Sequence, residues 1–148
     1  MSVDVYAFWQ GEPKLDKATL QSALAELGFE ARVLHEFNEA DAFWPIDLAG
    51  FKTGVEIYLL TDLEETREDY PDLTPLLGER DRGALFTFGS NAAEAGTAVA
   101  LAAALAKAAD ALVYDPQSST ICSIDQLVGE AKQFFEDALK EGAQQRED

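Results

Sequence analysis

From Ala95 to Ala106 the chain runs for twelve residues without a charge, between Glu94 and Lys107, and most of those residues are alanine. A bilayer span needs about 20 predominantly apolar residues, so this stretch reads as a helix of a soluble domain. Its larger side chains are few: Val99, Leu101 and Leu105. Small residues let such a helix lie close against a sheet or another helix. Asn91 and Glu94 stand at the spacing of a capping pair, which predicts a helix over 92–109.

Around this helix the apolar pattern switches between two periods. Val3, Val5, Ala7 and Trp9 alternate with Asp4, Tyr6 and Phe8, which is strand spacing with the second face also turning apolar. Asp16 stands as an N-cap, Leu15 and Leu20 at staple spacing, and Gly28 as the stop of a helix over 16–27. Strand spacing returns over 29–35 and 54–60, and shorter apolar runs lie at 84–88, 111–114 and 120–122. Thr61 or Asp62 caps a short helix through Thr66. Asp115-Pro116-Gln117-Ser118 reads as a turn. Ser123 and Gln126 form a capping box ahead of the stripe Leu127, Val128, Ala131, Phe134, Phe135, Ala138, Leu139, predicting a helix over 124–141. Residues 36–53 follow neither period and read as a long connection.

The expected fold is α+β: a single domain over 1–148, with one mixed sheet of about six strands and three main helices packed on it. The polar tail over 142–148 is expected to fray.

Charge narrows the function classes. Among 148 residues, 28 are Asp or Glu and 11 are Lys or Arg, a net charge of −17. That balance argues against a nucleic-acid binder that neutralises phosphates and against docking on anionic membranes. The single cysteine, Cys122, excludes an intramolecular disulfide scaffold. The N-terminal residues lack the basic start and long apolar run of a signal peptide, so a cytoplasmic location is expected.

Catalytic chemistry finds little support. His35, Glu36, Glu39 and Asp41 could offer nitrogen and oxygen ligands, but no second histidine makes a strong metal site. Gly89-Ser90-Asn91 precedes a helix without a phosphate-loop pattern, and Cys122 with His35 is only a formal thiol–imidazole pair. No catalytic residue, metal or cofactor is assigned, and an enzyme is the less favoured class.

The segment that stands out is central. Between Glu36 and Asp72, 11 acids face two bases, Lys52 and Arg67. Aromatic residues share the segment. Phe37, Phe43, Trp44 and Phe51 are the candidate anchors, and Glu64, Glu65 and Glu68 the candidate charged rim, of a surface for a basic protein partner. The bland account is that the rings cover the sheet and the acids form a solvated edge.

Phe43-Trp44-Pro45 leading to Thr53-Gly54-Val55-Glu56-Ile57-Tyr58 forms one recognisable stretch. Glu94 through the alanine helix to Leu112-Val113-Tyr114-Asp115-Pro116-Gln117 forms the other. Over roughly residues 40–123 the chain resembles a loose group of small bacterial α/β proteins, some of which look like immunity proteins of toxin systems. The resemblance implies a cytoplasmic, non-enzymatic protein and carries no catalytic residues. Two other readings compete. One is a small enzyme or ligand-binding domain whose pocket lies between the central loop and the sheet, with His35 as its titrating group. The other is a self-associating structural protein, a homodimer joined through exposed aromatics.

Overall fold

In the computed structural model, which describes residues 3–147 and their side chains through residue 141, seven strands form one sheet. The elements run β1 (Val3–Trp9), α1 (Lys17–Glu26), β2 (Ala31–Val33), β3 (Asp41–Leu48), β4 (Phe51–Leu60), α2 (Glu64–Asp69), α3 (Thr74–Leu77) and β5 (Arg82–Phe88). They continue with α4 (Ala92–Ala109), β6 (Leu112–Asp115), β7 (Thr120–Cys122) and α5 (Ile124–Glu147). The strand order is β2-β3-β4-β5-β1-β6-β7.

The α+β class is as expected, but two details differ. Every strand pair is antiparallel, so the sheet is not mixed. The sequence order β1-α1-β2 resembles a parallel crossover unit, yet β2 lies at the far edge, separated from β1 by three strands. The count is seven because residues 36–53 are not a long connection. A short 3₁₀ turn, Phe37–Glu39, leads into β3, which pairs along its whole length with β4. Ala49 (φ 54°) and Gly50 (φ 85°) join them in a two-residue turn with both residues left-handed.

Three of the four predicted caps form. The fourth does not, because α2 starts at Glu64 with Leu63 at its N-cap and runs to Asp69, and Asp62 only accepts from the Glu64 amide at 3.2 Å ahead of the helix. Asp16 accepts from the Thr19 amide at 2.9 Å and Asn91 from the Glu94 amide at 3.0 Å. Ser123 and Gln126 bond reciprocally, at 2.9 and 3.2 Å. The backbone of α5 is helical past Gly142, because one helical glycine costs only about 1 kcal/mol against alanine and does not by itself end a helix. The expected frayed tail involves side chains outside the described residues.

One face of the sheet carries the long helices. α4 lies across β1, β4, β5 and β6, with α1 and α5 packed on its flanks. It is long and apolar enough to cross a membrane, but 67% of it is buried in the domain. Its small residues allow close approach: the Phe135 ring of α5 sits against Gly96, where a Cβ would lie 3.0 Å from the ring. Thr97, fully buried, donates to the Ala93 carbonyl at 2.7 Å, and its hydroxyl meets that of Thr53 on β4 at 3.1 Å.

The opposite face is only half covered. Residues 61–81, which include α2 and α3, fold back over it. Leu63, Leu73 and Leu77 pack with Phe8 and Tyr114, and beside them lie Tyr6, Leu60, Tyr70 and Leu112. Tyr70 meets Tyr6 and Tyr114 edge-on, with ring centroids 5.7 and 5.5 Å apart. This layer covers β1, β6 and the end of β4. It leaves the outer face of β2, β3 and most of β4 open.

Candidate partner-binding face

The alternation of β3 and β4 decides which aromatics reach solvent. Trp44, Ile46 and Leu48 on β3, like Val55 and Ile57 on β4, point toward the helices and are buried. Phe43, Pro45, Glu56 and Tyr58 occupy the alternate positions and point outward. Phe43 lies opposite Glu56, and Asp41 opposite Tyr58.

The candidate anchors therefore separate. Phe37 and Trp44 are core residues, 1% and 3% exposed, so they do not belong to a surface site. Their rings meet at 6.1 Å and 82°, and Trp44 Nε1 donates to the Glu36 carbonyl at 3.3 Å. Phe51 is half-buried and stacks on Phe135 at 5.9 Å, a structural contact between the sheet and α5. Phe43 is exposed at 54%, the one sequence-chosen aromatic that remains on the surface. Its ring rests on Gly54, where an added Cβ would lie 2.5 Å from Phe43 Cζ and 2.7 Å from the Trp44 carbonyl oxygen. Glu64, Glu65 and Glu68 on α2 are exposed, on the same side of the sheet as Phe43.

Tyr58, a further aromatic of the acidic segment, is 39% exposed on the strand next to Phe43. Strand alternation in 54–60 was enough to place it outward. Its hydroxyl donates to the Glu56 carboxylate at 3.2 Å, and that hydrogen bond, with the carboxylate's charge, raises the Tyr58 pKa. The register continues the row from Tyr58 through Leu85 to Tyr6, Tyr114 and Ile121. Burial, followed by the neighbouring Tyr70, raises the Tyr6 pKa further, which keeps that phenol neutral.

Charge on this open face is uneven. Asp47 lies opposite both Arg32 and Lys52, so the face's cations collect at the β3–β4 turn. Asp41 and Glu56 flank Phe43 and Tyr58, and Asp4 lies in the next register positions, accepting from Thr87 at 3.0 Å. Three arginines are engaged elsewhere. Arg67 donates to the Arg80 carbonyl, Arg80 to the carbonyls of Leu77 and Asp110, and Arg82 to the Thr61 carbonyl. These bonds hold the 61–81 layer down.

A cleft of about 500 Å³ opens at one end of the sheet, lined by Trp9, Lys14, Asp16, Glu36, Phe37 and Arg82 among others. It lies between the 3₁₀ turn at Phe37–Glu39 and the end of the sheet, because the central loop that the enzyme reading expected is strand β3. His35 is exposed and does not line it. His35 and Cys122 cannot act together, because they belong to opposite edges of the sheet, roughly 25–30 Å apart at 4.7–4.9 Å per strand. Burial, then the charges of Glu130 and Asp115, raises the Cys122 pKa, the opposite of an activated thiol. Among the described residues no three His, Cys, Asp or Glu side chains are placed to hold a metal ion, so His35, Glu36, Glu39 and Asp41 do not converge.

Comparison of the chain with protein-family models, curated proteins and solved structures found no match.

Proposed function

We propose that this protein is a non-enzymatic binding domain that receives a basic protein on the open half of its outer sheet face. The observation that carries this reading is the pairing of exposed Phe43 and Tyr58, on adjacent strands, with the flanking carboxylates of Asp41 and Glu56, which enter none of the ion pairs among the described residues. Exposed rings supply affinity when they are desolvated, and a surrounding field of one sign speeds encounter with the opposite sign. An immunity-type role in the cytoplasm, an acidic protein masking a basic one, is the biological form this reading takes. The dimer reading is weaker on electrostatic grounds, since two copies would bring together two chains of charge −17.

The test is capture of the partner from the native host, followed by rate measurements at two salt concentrations. Phe43→Gln is expected to raise the off-rate tenfold or more. A Glu64/Glu65/Glu68→Gln triple variant is expected to lower the on-rate, with the difference fading at high salt. Trp44→Ala is not a test of the face, because Trp44 is buried and its truncation would open a cavity in the core. Unchanged partner binding by both folded surface variants would overturn the proposal.

A further inference from the structure

The open half of the face has a width, a charge pattern and guarded edges, and together these select the kind of element that can cover it. At the level of Phe43 and Tyr58 the open strands are β3 and β4, with half-buried Leu85 and Thr87 of β5 beside them, about 14 Å across at 4.7–4.9 Å per strand. An α-helix with its side chains is about 10–12 Å wide, so the space beside the 61–81 layer admits one helix and not two. The eight residues of β3 run for about 27 Å, the length of a helix of about 18 residues.

A partner strand is disfavoured at the adjacent edge. β2 pairs only with Ile46–Leu48, leaving Asp41–Pro45 as free edge. Within that stretch Ala42 has φ 87°, which breaks the extended geometry, and Pro45 has no N–H to donate. The face itself is therefore the accessible surface. It presents Phe43, Pro45 and Tyr58 as an apolar strip, with Asp41 and Glu56 beside them.

Resting on the reading above, we infer that the partner's docking element is a single basic amphipathic helix. It lies along β3 and β4, with its apolar stripe on Phe43, Pro45 and Tyr58 and its Lys or Arg side chains over Asp41 and Glu56. It would complete the outer layer that residues 61–81 begin.

The probe is a pair of synthetic peptides of about 18 residues with one Leu/Lys composition. One is written with helical spacing and the other with strict alternation. The helical-period peptide is expected to bind the full-length protein at least tenfold more tightly than the alternating one, and to gain helicity by circular dichroism. A Phe43→Gln/Tyr58→Gln double variant is expected to weaken it tenfold or more. Asp41→Lys/Glu56→Lys, at exposed positions, gives a second test should the aromatic variant melt low, and is expected to weaken binding by a similar factor at low salt. Equal affinity for the two peptides, or indifference to both variants, would overturn the inference. The outcomes also separate it from the reading beneath it. A captured native partner that depends on Phe43 and Tyr58, with no advantage for the helical peptide, removes the helix and leaves the face. A partner indifferent to both residues removes the face as well.

Discussion

Glu130, on α5, faces Asp115 at the end of β6 across a cleft floored by Val3, Val5, Phe88 and Phe134. Burial first, and the Asp115 charge second, raise its pKa above the ordinary 4.5. The folded protein thus holds this proton more tightly than the unfolded chain does. The stabilisation is complete below the ordinary value and is lost as pH rises through the raised one. Glu130→Gln, which keeps the neutral form at every pH, is expected to melt above the parent near neutral pH and to match it at about pH 3.5. Melting curves across that range check the sign, and a lower melting temperature at neutral pH would contradict it. Phe43 and Trp44 illustrate what single residues disclose. Both are aromatic, in one acidic segment, and composition treats them alike. Strand parity assigns one to solvent and the other to the core, and parity could not be applied until the strand itself was recognised.

Elements with local signals were legible and elements with long-range ones were not. The caps at Asp16, Asn91 and Ser123 are written within four residues, and all three form. Asn91→Ala should cost about 1 kcal/mol by freeing the Glu94 amide, lowering the melting temperature by about 2–4 °C, whereas Asn91→Asp should be nearly neutral. Thermal melts of the two variants test this, and equal losses would show that the cap carbonyl contributes nothing. β3 was hidden for three physical reasons. Pro45 argues against a strand, adjacent Phe43 and Trp44 blur the alternation, and Ala49-Gly50 lacks the Asn or Asp that marks most left-handed two-residue turns. The pairing of β3 with β4 fills the free donors and buries Trp44, Ile46 and Leu48, which outweighs the poor local signal. The acidic half of the candidate site was readable from charge alone, whereas its aromatic half needed the register of β3 on β4.

At the scale of the whole molecule the acid excess is largely uncompensated. Among the described residues three ion pairs form, all with at least one exposed partner: Lys14–Asp16, Arg80–Asp110 and Lys107–Glu26. Exposed pairs of this kind are worth about 0–1 kcal/mol each. Self-repulsion across a surface of charge −17 therefore opposes the folded state, and salt should relieve it. The melting temperature is expected to rise by several degrees between about 10 mM and 500 mM sodium chloride, a range over which the Debye length falls from about 30 Å to under 8 Å. A fall over that range would mean that the few ion pairs matter more than the surplus. The same salt should weaken association with a basic partner, so stability and binding are expected to move in opposite directions.

The placement of β1 has a consequence in time. It comes first of the seven strands in chain order, yet it sits fifth in the sheet, between β5 and β6. Trp9 pairs with Arg82, and Tyr6 with Tyr114, so the middle of the sheet closes only when partners 73 to 108 residues downstream exist. At about 5–20 residues per second of synthesis, an apolar strand carrying Val5, Phe8 and Trp9 waits on the order of ten seconds for its neighbours. The β3–β4 hairpin, closed by a two-residue turn, can form during that interval without it. Assembly of this protein during synthesis thus starts at the β2–β4 flank, takes in β1 once β5 exists and ends at the β6–β7 flank, and the nascent chain must keep β1 from pairing elsewhere until then.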